Sequence, residues 1–170
     1  PLQARIRQPR MDTALTYTIE RTELTPTPVL FIRSRVDRTA VAEILGQSLP
    51  AVYGHVMASG LAMAGPPYVR YVDNSPAFFT LEAGIPLVDP PPPPPADGDI
   101  EAGELPGGPA ATTIHVGPYD TISAAHEALD RWMAAEGETA GGSPWEVYLT
   151  DPAEVPDPAE WQTQVVWPLA

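Results

Sequence analysis

Eight short stretches of the chain are rich in β-branched and aromatic residues, and most of them alternate apolar with polar side chains, the period-two pattern of half-buried strands. They are "YTIERTEL" (17–24), "PVLFIRSRV" (28–36), "PYVRYVD" (67–73), "FFTLEAGIPL" (78–87), "DIEAGELP" (99–106), "PAATTIHVG" (109–117), "PWEVYLTD" (144–151) and "WQTQVVWPL" (161–169). Two longer stretches step instead by three and four. Val41, Ile44, Leu45, Leu49, Val52 and Val56 make an apolar stripe in a helix expected around 39–60, and Ile122, Ala125, Leu129, Trp132 and Met133 make another around 119–136. Pro50 lacks a backbone N–H and is expected to interrupt the first helix, with Ser48 capping a restart. Asp120 is expected to cap the second helix and Gly137 to end it.

The order strand, strand, helix, strand, strand thus occurs twice. Pro67-Tyr68-Val69-Arg70-Tyr71 aligns with Pro144-Trp145-Glu146-Val147-Tyr148, and Ile85-Pro86-Leu87 with Trp167-Pro168-Leu169. This predicts an α+β fold: two strand–helix–strand modules related by a pseudo-twofold, an antiparallel sheet with two main helices, and a ligand cleft where the halves meet. Residues 17–170 are read as one domain, with a first half over 17–88 and a second over 99–170. Residues 89–98 between them carry six consecutive prolines, which adopt a stiff polyproline II rod. Residues 1–16, Arg-rich at the outset, are expected to be a disordered leader.

Composition narrows the chemistry. With no cysteine there is no disulfide, thiol nucleophile or thiolate metal site, and a reducing cytoplasm fits. All nine cationic side chains are arginine, which removes Schiff-base chemistry and a P-loop lysine. No apolar run approaches the roughly 20 residues of a membrane helix. Residues 1–88 hold eight arginines against seven acids, about +1; residues 89–170 hold fifteen acids against Arg131, about −14. So acidic a half repels phosphate backbones, and direct nucleic-acid binding by this chain is not expected. His55, His115 and His126 lack metal-ligand spacing, no GxSxG nucleophile elbow occurs, and no cofactor or metal is expected.

One carboxylate stands out. In "PWEVYLTD", Trp145, Val147 and Leu149 share one face of the strand, and Glu146 and Tyr148 the other. The first half has Val69 where the second has Glu146, so folding does not require an acid there. On a solvated face Glu146 would mean nothing. On the seam between the halves it would set a negative charge among aromatic rings, the make-up of a site for cationic aromatic molecules or of a general acid–base.

"HVGPYDTISAAHEAL", "PWEVYLTDP" and the ending "WQTQVVWPL" resemble the GyrI-like small-molecule-binding domain, the effector-binding domain of AraC- and MerR-type transcription regulators; "GPPYVRYVD" resembles its first-half strand. The resemblance covers 17–170 and implies two related modules around a ligand cleft. In that family an acid of the W-E-x-Y strand meets lipophilic cations, and it falls here on Glu146. The family's pocket aromatics fall on Tyr68, Tyr119, Tyr148 and Trp161, with Tyr53 and Tyr71 as further candidates. The regulators carry a helix-turn-helix domain ahead of this one, whereas about sixteen residues precede the first strand here, so a stand-alone member is expected. The resemblance implies promiscuous binding of lipophilic, often cationic small molecules. It allows two alternatives: a hydrolase of strained, cyclopropane-bearing genotoxic compounds with Glu146 and Tyr119 as catalytic groups, or a protein-interaction regulator with a gyrase-like partner.

Overall fold

Eight strands and two α-helices form where the two rhythms place them in the computed structural model, which describes residues 16–170. The leader expected over 1–16 lies, Thr16 apart, outside the described residues. The first half contributes β1 (Glu20–Leu24), β2 (Thr27–Asp37), α1 (Val41–Ala58), β3 (Tyr68–Asn74) and β4 (Phe78–Pro86). The second contributes β5 (Ile100–Leu105), β6 (Gly108–Val116), α2 (Ser123–Glu136), β7 (Trp145–Tyr148) and β8 (Gln162–Pro168). All ten elements coincide with expected ones, and the fold is α+β.

The strands make one antiparallel sheet in the order β1-β6-β8-β7-β3-β4-β2-β5. Outward from the centre the order is β3-β4-β2-β5 on one side and β7-β8-β6-β1 on the other. These are equivalent series, except that the halves have exchanged their first strands. The central pair β3–β7 sets Val69 opposite Glu146, with Tyr68 opposite Val147 and Arg70 opposite Trp145. Because the repeat also aligns Val69 with Glu146, the pseudo-twofold passes between them. Backbone hydrogen bonds follow the same symmetry. Tyr71 N–H donates to Pro144 O and Tyr148 N–H to Pro67 O, each at 3.0 Å; Leu87 N–H donates to Pro28 O and Leu169 N–H to Pro109 O, each at 2.8 Å.

The exchange forces the sheet to curl. Only Thr25 and Pro26 join β1 to β2, and only Pro106 and Gly107 join β5 to β6, although each pair stands at opposite ends of the strand order. The sheet is therefore a half-barrel, and its concave face gathers Val29, Phe31, Tyr68, Leu105, Ala110, Trp145 and Val166 into one core, with Leu24 and Val147 against it. On the other face α1 lies over β2 and β4 and α2 over β6 and β8. Val52 and Val56 pack there on Leu30, Ile85 and Leu87, and Leu129 and Met133 on Ala111, Val165 and Leu169. The central pair β3–β7 lies between the strands that α1 covers and those that α2 covers.

Two helix signals act differently from expectation. α1 runs unbroken through Pro50, and Ser48 is buried inside it instead of capping a restart. Pro50 removes one hydrogen bond on an exposed side, while the apolar stripe before and after it holds the helix to the sheet. Asp120 sits within a 3-10 turn, Tyr119–Thr121, and α2 starts at Ser123 without a side-chain cap. Gly137 does end α2, with φ +71°. No helix among the described residues is long and apolar enough to cross a membrane.

Candidate functional site

The pseudo-twofold axis builds this site. Tyr71 and Tyr148 are symmetry equivalents, and each lies two residues beyond the central Val69–Glu146 pair, on the face beneath the helices. Their hydroxyls therefore converge on the one carboxylate at the axis: Tyr71 donates to Glu146 Oε2 at 3.1 Å and Tyr148 at 3.2 Å. α2 supplies a third partner, His126, whose Nε2 is 2.8 Å from Glu146 Oε1. Behind it, Trp167 Nε1 of β8 donates to His126 Nδ1 at 3.0 Å. Glu146 is only 4% exposed. Such a carboxylate is tolerable only with its lone pairs met, and each hydrogen bond to a charged group is worth about 1.5–3 kcal/mol.

Aromatic rings surround this polar centre. Tyr71 meets Phe79 edge-on at 5.6 Å and the His126 ring at 6.4 Å. Tyr119 packs edge-on against Tyr148 at 5.4 Å and lies 4.8 Å from the Trp161 ring, so Tyr148, Tyr119 and Trp161 form a wall. Each part of that wall is pinned. Trp161 Nε1 donates to Val155 O at 2.8 Å, which ties the 151–161 loop to the start of β8. The fully buried His115 holds the turn that carries Tyr119, with Nε2 3.1 Å from both Pro118 O and Thr121 Oγ1 and Nδ1 2.8 Å from the Tyr17 hydroxyl. Tyr119 itself stands 37% exposed at the rim.

Burial, and after it the negative charge of Glu146, pushes the phenols of Tyr71 and Tyr148 well above their ordinary value. Tyr119 is raised by burial, then by Asp151 and Glu146. All three phenols are thus neutral donors at physiological pH, and none is a ready base. Glu82 offers a contrast: this second buried carboxylate has Arg33 at 2.8 Å and Arg70 at 3.8 Å.

Glu146, Tyr148, Tyr71, Tyr119 and Trp161 are therefore brought together. Tyr53 stands half-exposed on α1. Tyr68 is on the opposite, concave face, because it is an odd number of residues from Val69 and Tyr71 along the pleat. There it lines a cavity of about 390 Å³ with Trp145, Val147, Leu24 and Leu105, and its buried hydroxyl has no hydrogen-bond partner.

A sequence model of the family described as "GyrI-like small molecule binding domain" matches residues 17–170. The chain belongs to this family. Among solved structures, this GyrI-like domain is similar to the EcmrR C-terminal domain at 25% identity and TM-score 0.78, covering 91% of this chain and 98% of that one. It is similar at 25% identity and TM-score 0.77 to EcmrR in a complex with DNA, where it covers 90% of this chain but spans only 57% of that longer one. SAV2435, solved bound to tetraphenylphosphonium, shares the fold at 11% identity and TM-score 0.56, over 92% of this chain and 94% of that one. No curated protein matches the chain.

Sequence reasoning missed His126 and Trp167 as members of the site. The repeat held the signal. A shift of 77 residues carries Val69 to Glu146 and relates the left-handed glycines that follow the helices, Gly60 (φ +65°) and Gly137 (φ +71°). The same shift carries Leu49 to His126, and the aligned β4 and β8 endings carry Ile85 to Trp167. Each polar member of the Glu146 relay thus replaces an aliphatic residue of the first half.

Proposed function

We propose that this small-molecule-binding domain takes lipophilic cations over the central strands β3 and β7, with Glu146 as the counter-charge and Tyr71, Tyr148, Tyr119 and Trp161 as the aromatic surround. One observation carries the reading. Glu146 is a buried carboxylate at the fold's axis, where the repeat needs only a valine, and its partners are two phenols and an imidazole, whereas Glu82 is met by arginines. A desolvated negative charge ringed by aromatic faces attracts a cation through charge pairing and cation–π contact. Binding suits it better than base catalysis, because all the groups that meet the carboxylate are hydrogen-bond donors already engaged with it, which leaves no substrate proton in its reach.

The test is Glu146→Gln, which keeps shape and removes charge. Calorimetric affinity for tetraphenylphosphonium should fall by roughly 1–3 kcal/mol, while affinity for neutral triphenylphosphine oxide should hardly move. Unchanged affinity for the cation would sink the reading. Intact binding of a strained alkylating agent together with lost turnover would favour the hydrolytic alternative instead.

A further inference from the structure

The relay behind Glu146 has a direction. An indole N–H can only donate, so the 3.0 Å contact from Trp167 Nε1 requires His126 Nδ1 to present its lone pair. The ring's single proton then sits on Nε2 and is donated to Glu146 Oε1 at 2.8 Å. Adding a proton at Nδ1 would point two N–H groups at each other. An imidazolium in this place would be Glu146's own internal cation, and any ligand would have to compete with it.

We infer that Trp167 is a positioning residue that holds His126 in its neutral, Nε2-protonated form and so leaves the Glu146 charge free for an incoming cation, an inference that rests on the cation-binding reading. Its support is independent of the ligand. The three relay residues stand where the first half has Ile85, Leu49 and Val69, aliphatic side chains that pack in apolar clusters, Ile85 in one and Leu49 with Val69 in another. All three changes fall in the same half and join end to end. Trp167 packs near α2's apolar core, which any large side chain could do; only the indole N–H explains the contact to His126. The titratable groups facing His126 are Glu146 of β7, with Tyr148 on the same carboxylate, and Tyr71 of β3; on its own helix Glu127 and Asp130 are neighbours. All the acids among them favour an imidazolium, so the indole is the group that opposes it.

The experiment measures tetraphenylphosphonium affinity at pH 8 and pH 6 for the native chain, Trp167→Phe, and Trp167→Phe combined with His126→Gln. Phenylalanine keeps the ring and removes the N–H. Glutamine donates to Glu146 and never ionises. The native affinity should be flat. In Trp167→Phe, an imidazolium formed in the more acidic solution would compete with the ligand for Glu146, so affinity should be several-fold weaker at pH 6 than at pH 8. The double variant should be flat again, an outcome that general loosening of the fold would not produce. Nitrogen-15 NMR of the native His126 ring should show the neutral Nε2–H form at both pH values, with or without ligand. A native protein that weakens like Trp167→Phe, a flat Trp167→Phe profile, or an imidazolium at pH 6 by NMR would overturn the inference. If the native chain takes no cation at either pH, the functional reading fails while the NMR result still decides the relay.

Discussion

The most informative stability experiment returns the axis to the first half's solution. His126→Leu and Glu146→Val restore the pair that the repeat uses at Leu49 and Val69. Taken alone, His126→Leu strips the 2.8 Å donor from a carboxylate that is 4% exposed and the acceptor from the Trp167 indole N–H, the latter worth about 1 kcal/mol. A lost hydrogen bond to a buried charge costs about 2–3 kcal/mol, of which the leucine's own burial returns about 1. Glu146→Val alone leaves two phenols and an imidazole N–H without their acceptor, at roughly 1 kcal/mol for each that water cannot reach, offset in part by removing a buried charge. Each single variant should therefore lose about 2 kcal/mol. The double variant removes the imidazole and the carboxylate together, so its loss should be about 2 kcal/mol and not about 4. Urea unfolding at fixed pH measures this as a coupling of about 2 kcal/mol, or a midpoint difference of about 1 M for a domain of this size. Additivity within about 0.5 kcal/mol would refute the claim that Glu146 and His126 stabilise one another.

Tyr68→Phe should change stability by between zero and a gain of about 1 kcal/mol, since the hydroxyl is buried without a partner, and it should leave tetraphenylphosphonium affinity untouched; a loss above about 1 kcal/mol would mean that the hydroxyl is hydrogen-bonded in solution. Tyr71 and Tyr148 have folded pKa values raised by burial and then by Glu146, so above the ordinary 10.0 the unfolded chain gives up phenol protons that the folded chain keeps. Their contribution is full below pH 10 and lost as pH rises beyond it. Phenolate absorbance should show fewer than six tyrosines titrating until the protein unfolds, and six normal titrations in the folded state would contradict this. Deleting three of Pro90–Pro95 should cost less than about 1 kcal/mol. Pro86 and Ile100 pair with Val29 and Ile32 on either side of β2, a gap of roughly 14 Å; Leu87 and Val88 are held by backbone hydrogen bonds to Pro28 and Ala62, and the eight residues then left between Val88 and Ile100 still reach about 25 Å in polyproline form. Loss of cooperative urea unfolding would show that the rod packs against the body.

The sequence alone determined the local elements and their order, because period-two and three-to-four patterns record which side chains must leave water. It also determined the repeat, and through it the oddity of Glu146 against Val69. The exchange of β1 and β5 between the halves was not legible. Strand pairing is carried by backbone groups that every residue has, and the connections Thr25–Pro26 and Pro106–Gly107 are compatible with an ordinary hairpin. The pleat turns Tyr68 to the face opposite Tyr71, and the curl that follows from the exchange makes that face a concave core. Convergence on Glu146 was likewise a tertiary outcome. Tyr71 and Tyr148 are 77 residues apart, and only an axis passing between β3 and β7 turns two equivalent tyrosines toward one carboxylate. His126 read as one more position on an amphipathic helix and Trp167 as one more apolar residue on a strand. Their joint meaning depends on a 3.0 Å contact between α2 and β8, a distance that packing sets and periodicity does not record.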